Sequence, residues 1–305
     1  MSSVLLQLKL FFALSRTPHG LLDMATPALA ALLWYGSFPP LTITILGLST
    51  AFAGYTAVYA LNDLVDYHVD KKRVEDGLLP DIHNDLDSIF VRHPLAYGLL
   101  PLKKGLLWVI AWASLALAGS YLLNPFCAVI FLGSCLLEAL YCLLWKSGYL
   151  KVLLSGAVKT SGAVAAVFAV DPSPSLPPLL LLFLWLFFWE IGGQNIPNDW
   201  ADIEEDRVLQ ASTIPVQFGP VLTKGLIFFS LLLAVALNMV SLGVSPVGSR
   251  FAGVTASLGA GIYLLLLPAY RLYRTQERGQ ALALFNSASY YPVALLAVII
   301  ITIII

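Results

Sequence analysis

The sequence predicts an all-α membrane protein, with nine transmembrane helices around a central cavity. Three observations carry that prediction. Of the 305 residues, 59% are hydrophobic and only 11% charged, with a mean hydropathy of +0.83; a soluble domain carries about 25% charged residues. The apolar residues fall into runs near the roughly 20 residues that cross a hydrocarbon core. The basic residues fall in alternate loops.

The predicted spans lie near 18–35, 41–61, 105–123, 125–144, 150–170, 176–197, 221–241, 249–270 and 281–305. The first is interrupted by Asp23 and Pro27 and reads as a retained span rather than a cleaved signal. The second ends in NDLVDYHVD at 62–70, where the polar loop from 71 to 104 begins. That loop reads as a cap over a site or as a solvated connector. The third and fourth spans lie close together, and the fourth holds Cys127, Cys135 and Cys142 without metal-site spacing, as small core residues. The fifth encloses Lys159 and ends at DPSPSLPP, a turn at 171–178. The sixth runs into NDWADIEED at 198–206, and the last three alternate with short loops.

Fifteen of the 17 Lys and Arg lie in the loops on the side of the amino terminus, with Arg250 on the other side and Lys159 inside a span. The positive-inside rule then makes the amino terminus and both acidic stretches cytoplasmic and the carboxyl terminus distal. A net charge of −1 does not define a partner.

The two acidic stretches share Asn-Asp-x-x-Asp-x-x-x-Asp, in a chain with only 12 Asp and 7 Asn. They are 136 residues and four spans apart, an even offset that two parallel four-helix units plus a ninth helix would give. On a continued helix, Asp66, Asp70 and Asp63 fall about 40°, 80° and 100° from Asn62. Asn198, Asp202, Asp206 and Asp199 repeat that arc. Facing rows of carboxylate repel unless something positive lies between them. Mg²⁺ with a bound phosphate meets that need, so all eight residues read as a Mg²⁺–diphosphate site, with Asp66, Asp70, Asp202 and Asp206 at its chemical centre. The bland alternative is two solvated helix ends, which a shared asparagine and spacing disfavour.

Deeper in the sixth span, Glu190 and Gln194 continue the line of Asn198, unless Pro197 and Gly192-Gly193 kink the helix. Tyr55 and Tyr59 lie on the arc of the first motif, where they could face a cation or simply pack. Glu138 is a weaker candidate of the same kind.

On these residues the chain resembles the UbiA superfamily of intramembrane prenyltransferases. Its N-D-x-x-D-x-x-x-D motif is matched by Asn62, Asp63, Asp66 and Asp70, and its D-x-x-x-D motif by Asp202 and Asp206, with Asp199 extending it. RHPLAYGLL at 92–100 resembles the family's R-P-L-x-x-G segment with His93 inserted, and DIEEDRVLQASTIPVQFG at 202–219 its second conserved segment with Glu205 for glycine. SRTPH at 15–19 resembles its amino-terminal Arg-Pro segment with Thr17 inserted.

The resemblance implies one domain over 1–305 and Mg²⁺ bridging the aspartates to an isoprenyl diphosphate. The diphosphate departs, and a lipophilic acceptor captures the allylic cation in a cavity open to membrane lipid. It also implies a diphosphate contact by Lys146 and Tyr141, here one residue off the family's Y-x-x-x-K spacing. Arg73 and Arg207 are further phosphate candidates, and Arg16 a headgroup contact. The acceptor expected is an aromatic quinone precursor. Glycerol-phosphate lipids, chlorophyll precursors and haem are alternatives within the family, and a cation-coupled transporter or a diphosphate-binding scaffold outside it. No nucleic-acid partner is expected, and the oligomeric state is open.

Overall fold

The computed structural model describes residues 3–77, 90–144, 148–247 and 251–305, and every regular element among them is helical. Eight helical segments are long and apolar enough to cross a membrane: Leu41–Val65, Leu102–Leu123, Pro125–Leu143, Gly148–Val170, Leu176–Ala201, Ile214–Val244, Ala252–Thr275 and Arg278–Ile304. The first predicted span differs from expectation. It forms two short helices, α2 (Thr17–Asp23) and α3 (Ala25–Tyr35), behind an amino-terminal α1 (Ser3–Leu14). The join is at the acidic interruption seen in the sequence: Thr26 donates to the Asp23 carbonyl at 2.8 Å, capping the turn.

The second span is α4 (Leu41–Val65), followed by α5 (Tyr67–Glu75). After α6 (Leu102–Leu123), Asn124 caps α7 (Pro125–Leu143) by accepting from the Phe126 amide at 2.9 Å, with proline in the first turn where no amide is missed. α8 (Gly148–Val170) and α9 (Leu176–Trp189) follow. The sixth span then passes through a π-helical turn, Glu190–Asn195, into α10 (Ile196–Ala201). Next come α11 (Ile203–Val208) and α12 (Ile214–Val244), whose kink lies at Gly219-Pro220. Gly219 has φ 71° there, a conformation that glycine adopts without a Cβ penalty. The chain closes with α13 (Phe251–Gly261), a second π turn (Ile262–Leu266), α14 (Leu267–Thr275), α15 (Arg278–Ser289) and α16 (Tyr291–Ile304).

Packing divides these helices in function. Trp185, Trp189 and Tyr291 lie fully inside a dense apolar core built mainly from α9, α12 and α14–α16. Gly192 and Gly193 let α12 and α15 approach the π turn: a Cβ on Gly192 would stand 2.9 Å from Ser230, and one on Gly193 2.8 Å from Ala288. By contrast, α4, α7 and α8 enclose a cavity of about 520 Å³. Its lining follows α4 from Ile43 to Asn62 and α8 from Ser155 to Val170, a depth of about 28 Å at 1.5 Å per residue.

Candidate active site

Both acidic motifs interrupt their helices at the same motif position. α4 ends before Asp66 (φ −79°, ψ −3°) and α10 before Asp202 (φ −101°, ψ 14°). The rows are therefore bent rather than straight, although the Asp66 and Asp70 amides still bond four residues back at 2.9 Å. Asn62 and Asn198 both line the one cavity, so the two motifs meet at its same end.

Around the first row the partners are basic. Arg16 lies 3.5 Å from Asp63 and donates to Asn62 at 3.4 Å. Asn62 in turn donates to Glu138 at 2.7 Å and to Cys142 Sγ at 3.3 Å. Arg73 is 3.5 Å from Asp70. His93 Nδ1 sits between two aspartates, 2.8 Å from Asp70 and 3.4 Å from Asp63. It does so from φ 52°, a left-handed conformation that costs an L-residue about 1 kcal/mol. Burial alone would raise the Asp70 carboxyl and lower the His93 imidazole. Their mutual contact outweighs it, with Arg73 helping one and Asp63 the other, so Asp70 moves down and His93 up. At Asp66 the balance differs: burial and the Asp70 charge push it up to about 6, against the pull of Arg16, Lys151 and Arg73.

The second row pairs differently. Lys151, from α8, lies 3.2 Å from Asp199 and 5.0 Å from the centre of the Tyr141 ring, whose hydroxyl accepts from Asn195 at 3.4 Å. Asn198 donates to Asp202 at 3.5 Å, and Thr213 to Asp206 at 2.9 Å. Burial and the Asp199 charge raise Asp206 to about 6. Glu205, in the place of the family's glycine, is raised by burial and Asp202, and meets Arg278 at 3.6 Å.

Below the mouth lies a polar layer. Lys159 donates to Asp23 at 2.6 Å and to the Tyr59 hydroxyl at 3.0 Å, and that hydroxyl itself donates to Asp23. Ser155 donates to Glu190 at 2.7 Å, and Tyr55 and Thr26 share a hydrogen bond at 3.1 Å.

Several expectations change. Arg207 does not reach the cavity; it is exposed and paired with Glu204 at 3.3 Å, because Asp206 turns inward and its neighbour is carried to the outer face. Gln194 lines the cavity, but its amide is committed to Ser289 at 2.9 Å, since the π turn rotates it toward α15. Lys146 and most of the 71–104 loop's centre lie outside the described residues. Four residues make unforeseen contacts: His93, Lys151 and the Asp23–Lys159 pair. The signal for the last was present: two opposite charges stranded in apolar spans need each other.

The donor set suits a hard divalent cation. Asp63, Asp70 and His93 present ligand atoms within 4.8 Å of one another. Across the mouth, Asp199 keeps a buried carboxylate oxygen with no hydrogen-bond partner among the described residues. Carboxylate oxygens match Mg²⁺ better than the imidazole does.

A bundle of membrane helices around an apolar cavity with paired aspartate rows at its mouth defines an intramembrane enzyme class. The chain belongs to the UbiA prenyltransferase family, which it matches over residues 24–291, and it is a multi-pass integral membrane protein. None of the curated proteins matches it. Among solved structures, a UbiA homologue from Aeropyrum pernix K1 shares 21% identity over 93% of this chain and 97% of its own, with a TM-score of 0.73. A UbiA homologue from Archaeoglobus fulgidus bound to DMAPP and Mg²⁺ shares 18% over 97% and 99%, with a TM-score of 0.68. A digeranylgeranylglyceryl phosphate synthase shares 18% over 98% and 99%, with a TM-score of 0.70. At these identities the likeness establishes the fold.

Proposed function

We propose that the protein, as one catalytic unit over residues 1–305, transfers an isoprenyl chain from its diphosphate to a lipophilic acceptor, an aromatic quinone precursor, with Mg²⁺ as cofactor. The carrying observation is the convergence of Asn62 and Asn198, with their aspartate rows, on one end of an apolar cavity. The Archaeoglobus homologue's DMAPP and Mg²⁺ support the same ligands here. The basic residues of the amino-terminal side support a cytoplasmic mouth, a cytoplasmic amino terminus and a distal carboxyl terminus.

In this reading Asn62, Asp63, Asp66 and Asp70 hold one metal side of the diphosphate, and Asn198, Asp199, Asp202 and Asp206 the other. Bound metal supplies neutralisation of the charge that grows on the departing diphosphate. Arg16, Arg73 and Lys151, together with Tyr141 and Lys146, orient the diphosphate, and the basic ones among them offset the six carboxylates. His93 closes one side of the mouth through its contacts with Asp63 and Asp70. The prenyl tail lies in the cavity below, where Tyr55, Tyr59 and the apolar walls exclude water from the allylic carbon.

The test is transfer from radiolabelled geranylgeranyl diphosphate by the purified protein with candidate acceptors and Mg²⁺. Transfer is expected to vanish with EDTA and with Asp66→Ala or Asp202→Ala. Persistent transfer in both variants would end the metal-site assignment.

A further inference from the structure

Glu190 is the least satisfied acid in the cavity. It is 6% exposed, and its Oε1 accepts from Ser155 at 2.7 Å. Its Oε2 is buried and meets no hydrogen-bond partner among the described residues, while the residue lines the cavity. A buried carboxylate oxygen at membrane depth is costly unless something donates to it. Its position is informative too. Ser155 lies one helical turn below Lys151, the partner of Asp199, so the carboxyl group is about 6 Å deeper than the acidic mouth. That is the level of the carbon to which a diphosphate held at the mouth is attached.

The charges at this level select the acceptor. Below Arg16 and Arg92, Lys159 is the one lysine or arginine among the described lining residues, and Asp23 holds it at 2.6 Å. Glu138 is engaged by Asn62. Asp23 and Glu190 thus share one ammonium, and Glu138 belongs with the Asn62 and Arg16 level above. A carboxylate or phosphate headgroup finds no uncommitted cation here and meets excess acid, whereas a hydroxyl finds a ready acceptor in Glu190.

We propose that Glu190 binds the acceptor's hydroxyl group and takes its proton, and that the acceptor is a neutral apolar hydroxyl compound of phenol or quinol type. This rests on the prenyl-transfer reading above. In the step, the bond between the allylic carbon and the diphosphate oxygen breaks, and diphosphate leaves with the electron pair. The hydroxyl oxygen, or the ring carbon it activates, bonds to that carbon. The hydroxyl proton passes to Glu190 Oε2; where the ring carbon is the nucleophile, its own hydrogen then moves to the carbonyl oxygen and restores the aromatic hydroxyl, so no further reactant is needed. Ser155 is a positioning residue that fixes the other oxygen.

The experiment compares wild type, Glu190→Gln and Glu190→Asp, all as full chains in detergent with Mg²⁺ and prenyl diphosphate. Four acceptors are offered: a naphthoquinol, its dimethyl ether, a hydroxybenzoate and a glycerol-phosphate ether lipid. Turnover of the quinol alone is expected. Glu190→Gln should lower kcat about 100-fold, the scale of a positioned proton acceptor, with the KM for prenyl diphosphate unchanged and partial recovery in Glu190→Asp. Preferred turnover of the hydroxybenzoate or the phosphate lipid would overturn the proposal, as would an undiminished kcat in Glu190→Gln. Binding of prenyl diphosphate by wild type without acceptor is measured alongside; its absence would mark failure of the transfer reading itself.

Discussion

Lys151 and Asp199 are 3.2 Å apart, and their side chains are only 15% and 5% exposed. Removing one member of such a pair strands the other and costs about 3–5 kcal/mol. Lys151→Met should therefore lower the Tm in detergent, and adding Asp199→Asn should recover part of the loss; additive losses in the double variant would show that the two side chains are not coupled. Asp66 and Asp206 make a different prediction. Both are raised to about 6, so in the metal-free protein the stability linked to their protonated forms is whole below the ordinary carboxylate range and is lost as pH rises through 6. In the proposed site Mg²⁺ would bind the ionised forms. The rise in Tm on adding Mg²⁺ should thus be larger at about pH 7.5 than at about pH 5; equal shifts would separate these carboxylates from the metal. At this scale the sequence was most readable where chemistry repeats. The paired motifs stood out by spacing alone, whereas His93 looked like an insertion in a loop, because nothing local reveals that a left-handed residue will reach two aspartates, one on α4 and one on α5.

The helices themselves were legible from hydropathy, since apolar length is what the bilayer demands. What hydropathy cannot carry is the deviation from ideal geometry, and the site depends on those deviations. The straight-helix projection put Glu190, Gln194 and Asn198 on one face, but the π turn Glu190–Asn195 separates them: Glu190 turns to Ser155 on α8 while Gln194 turns to Ser289 on α15. The breaks at Asp66 and Asp202 likewise have no proline or glycine at the break to announce them. Close helix approach is readable only in hindsight as well. On α6, a Cβ at Gly119 would fall 2.2 Å from Thr50 Oγ1 and 3.2 Å from its Cβ on α4, whereas one at Gly133 would meet nothing within 4 Å. Overpacking of this kind costs about 1–3 kcal/mol. Gly119→Val should lower the Tm and Gly133→Val should leave it nearly unchanged; a tolerated Gly119→Val would mean that α4 and α6 are not held at this distance.

Across the whole molecule, a dense half supports a hollow one. Trp185, Trp189 and Tyr291 are each at most 1% exposed, and this half anchors the second aspartate row. The hollow half, walled by α4, α7 and α8, provides the depth. Gly47 lines the cavity, and a side chain there would find open space. It precedes Asn62 by 15 residues, so it lies about 22 Å below the first motif. A prenyl diphosphate anchored at the mouth therefore reaches Gly47 only with a long chain. Gly47→Phe should block that depth without touching the mouth: transfer from dimethylallyl diphosphate should stay near the wild-type rate, while the rate with geranylgeranyl diphosphate should fall at least about 10-fold, the loss that follows from 1.4 kcal/mol of lost fit. Competition between the two donors, read by product mass, measures this directly. Equal losses for both donors would indicate a general packing defect, and no loss for the long one would mean that the tail leaves the cavity sideways into lipid above Gly47. The depth of the hollow half then would not limit the chain, and the wall between α4 and α7 would have to open within the upper turns of the bundle.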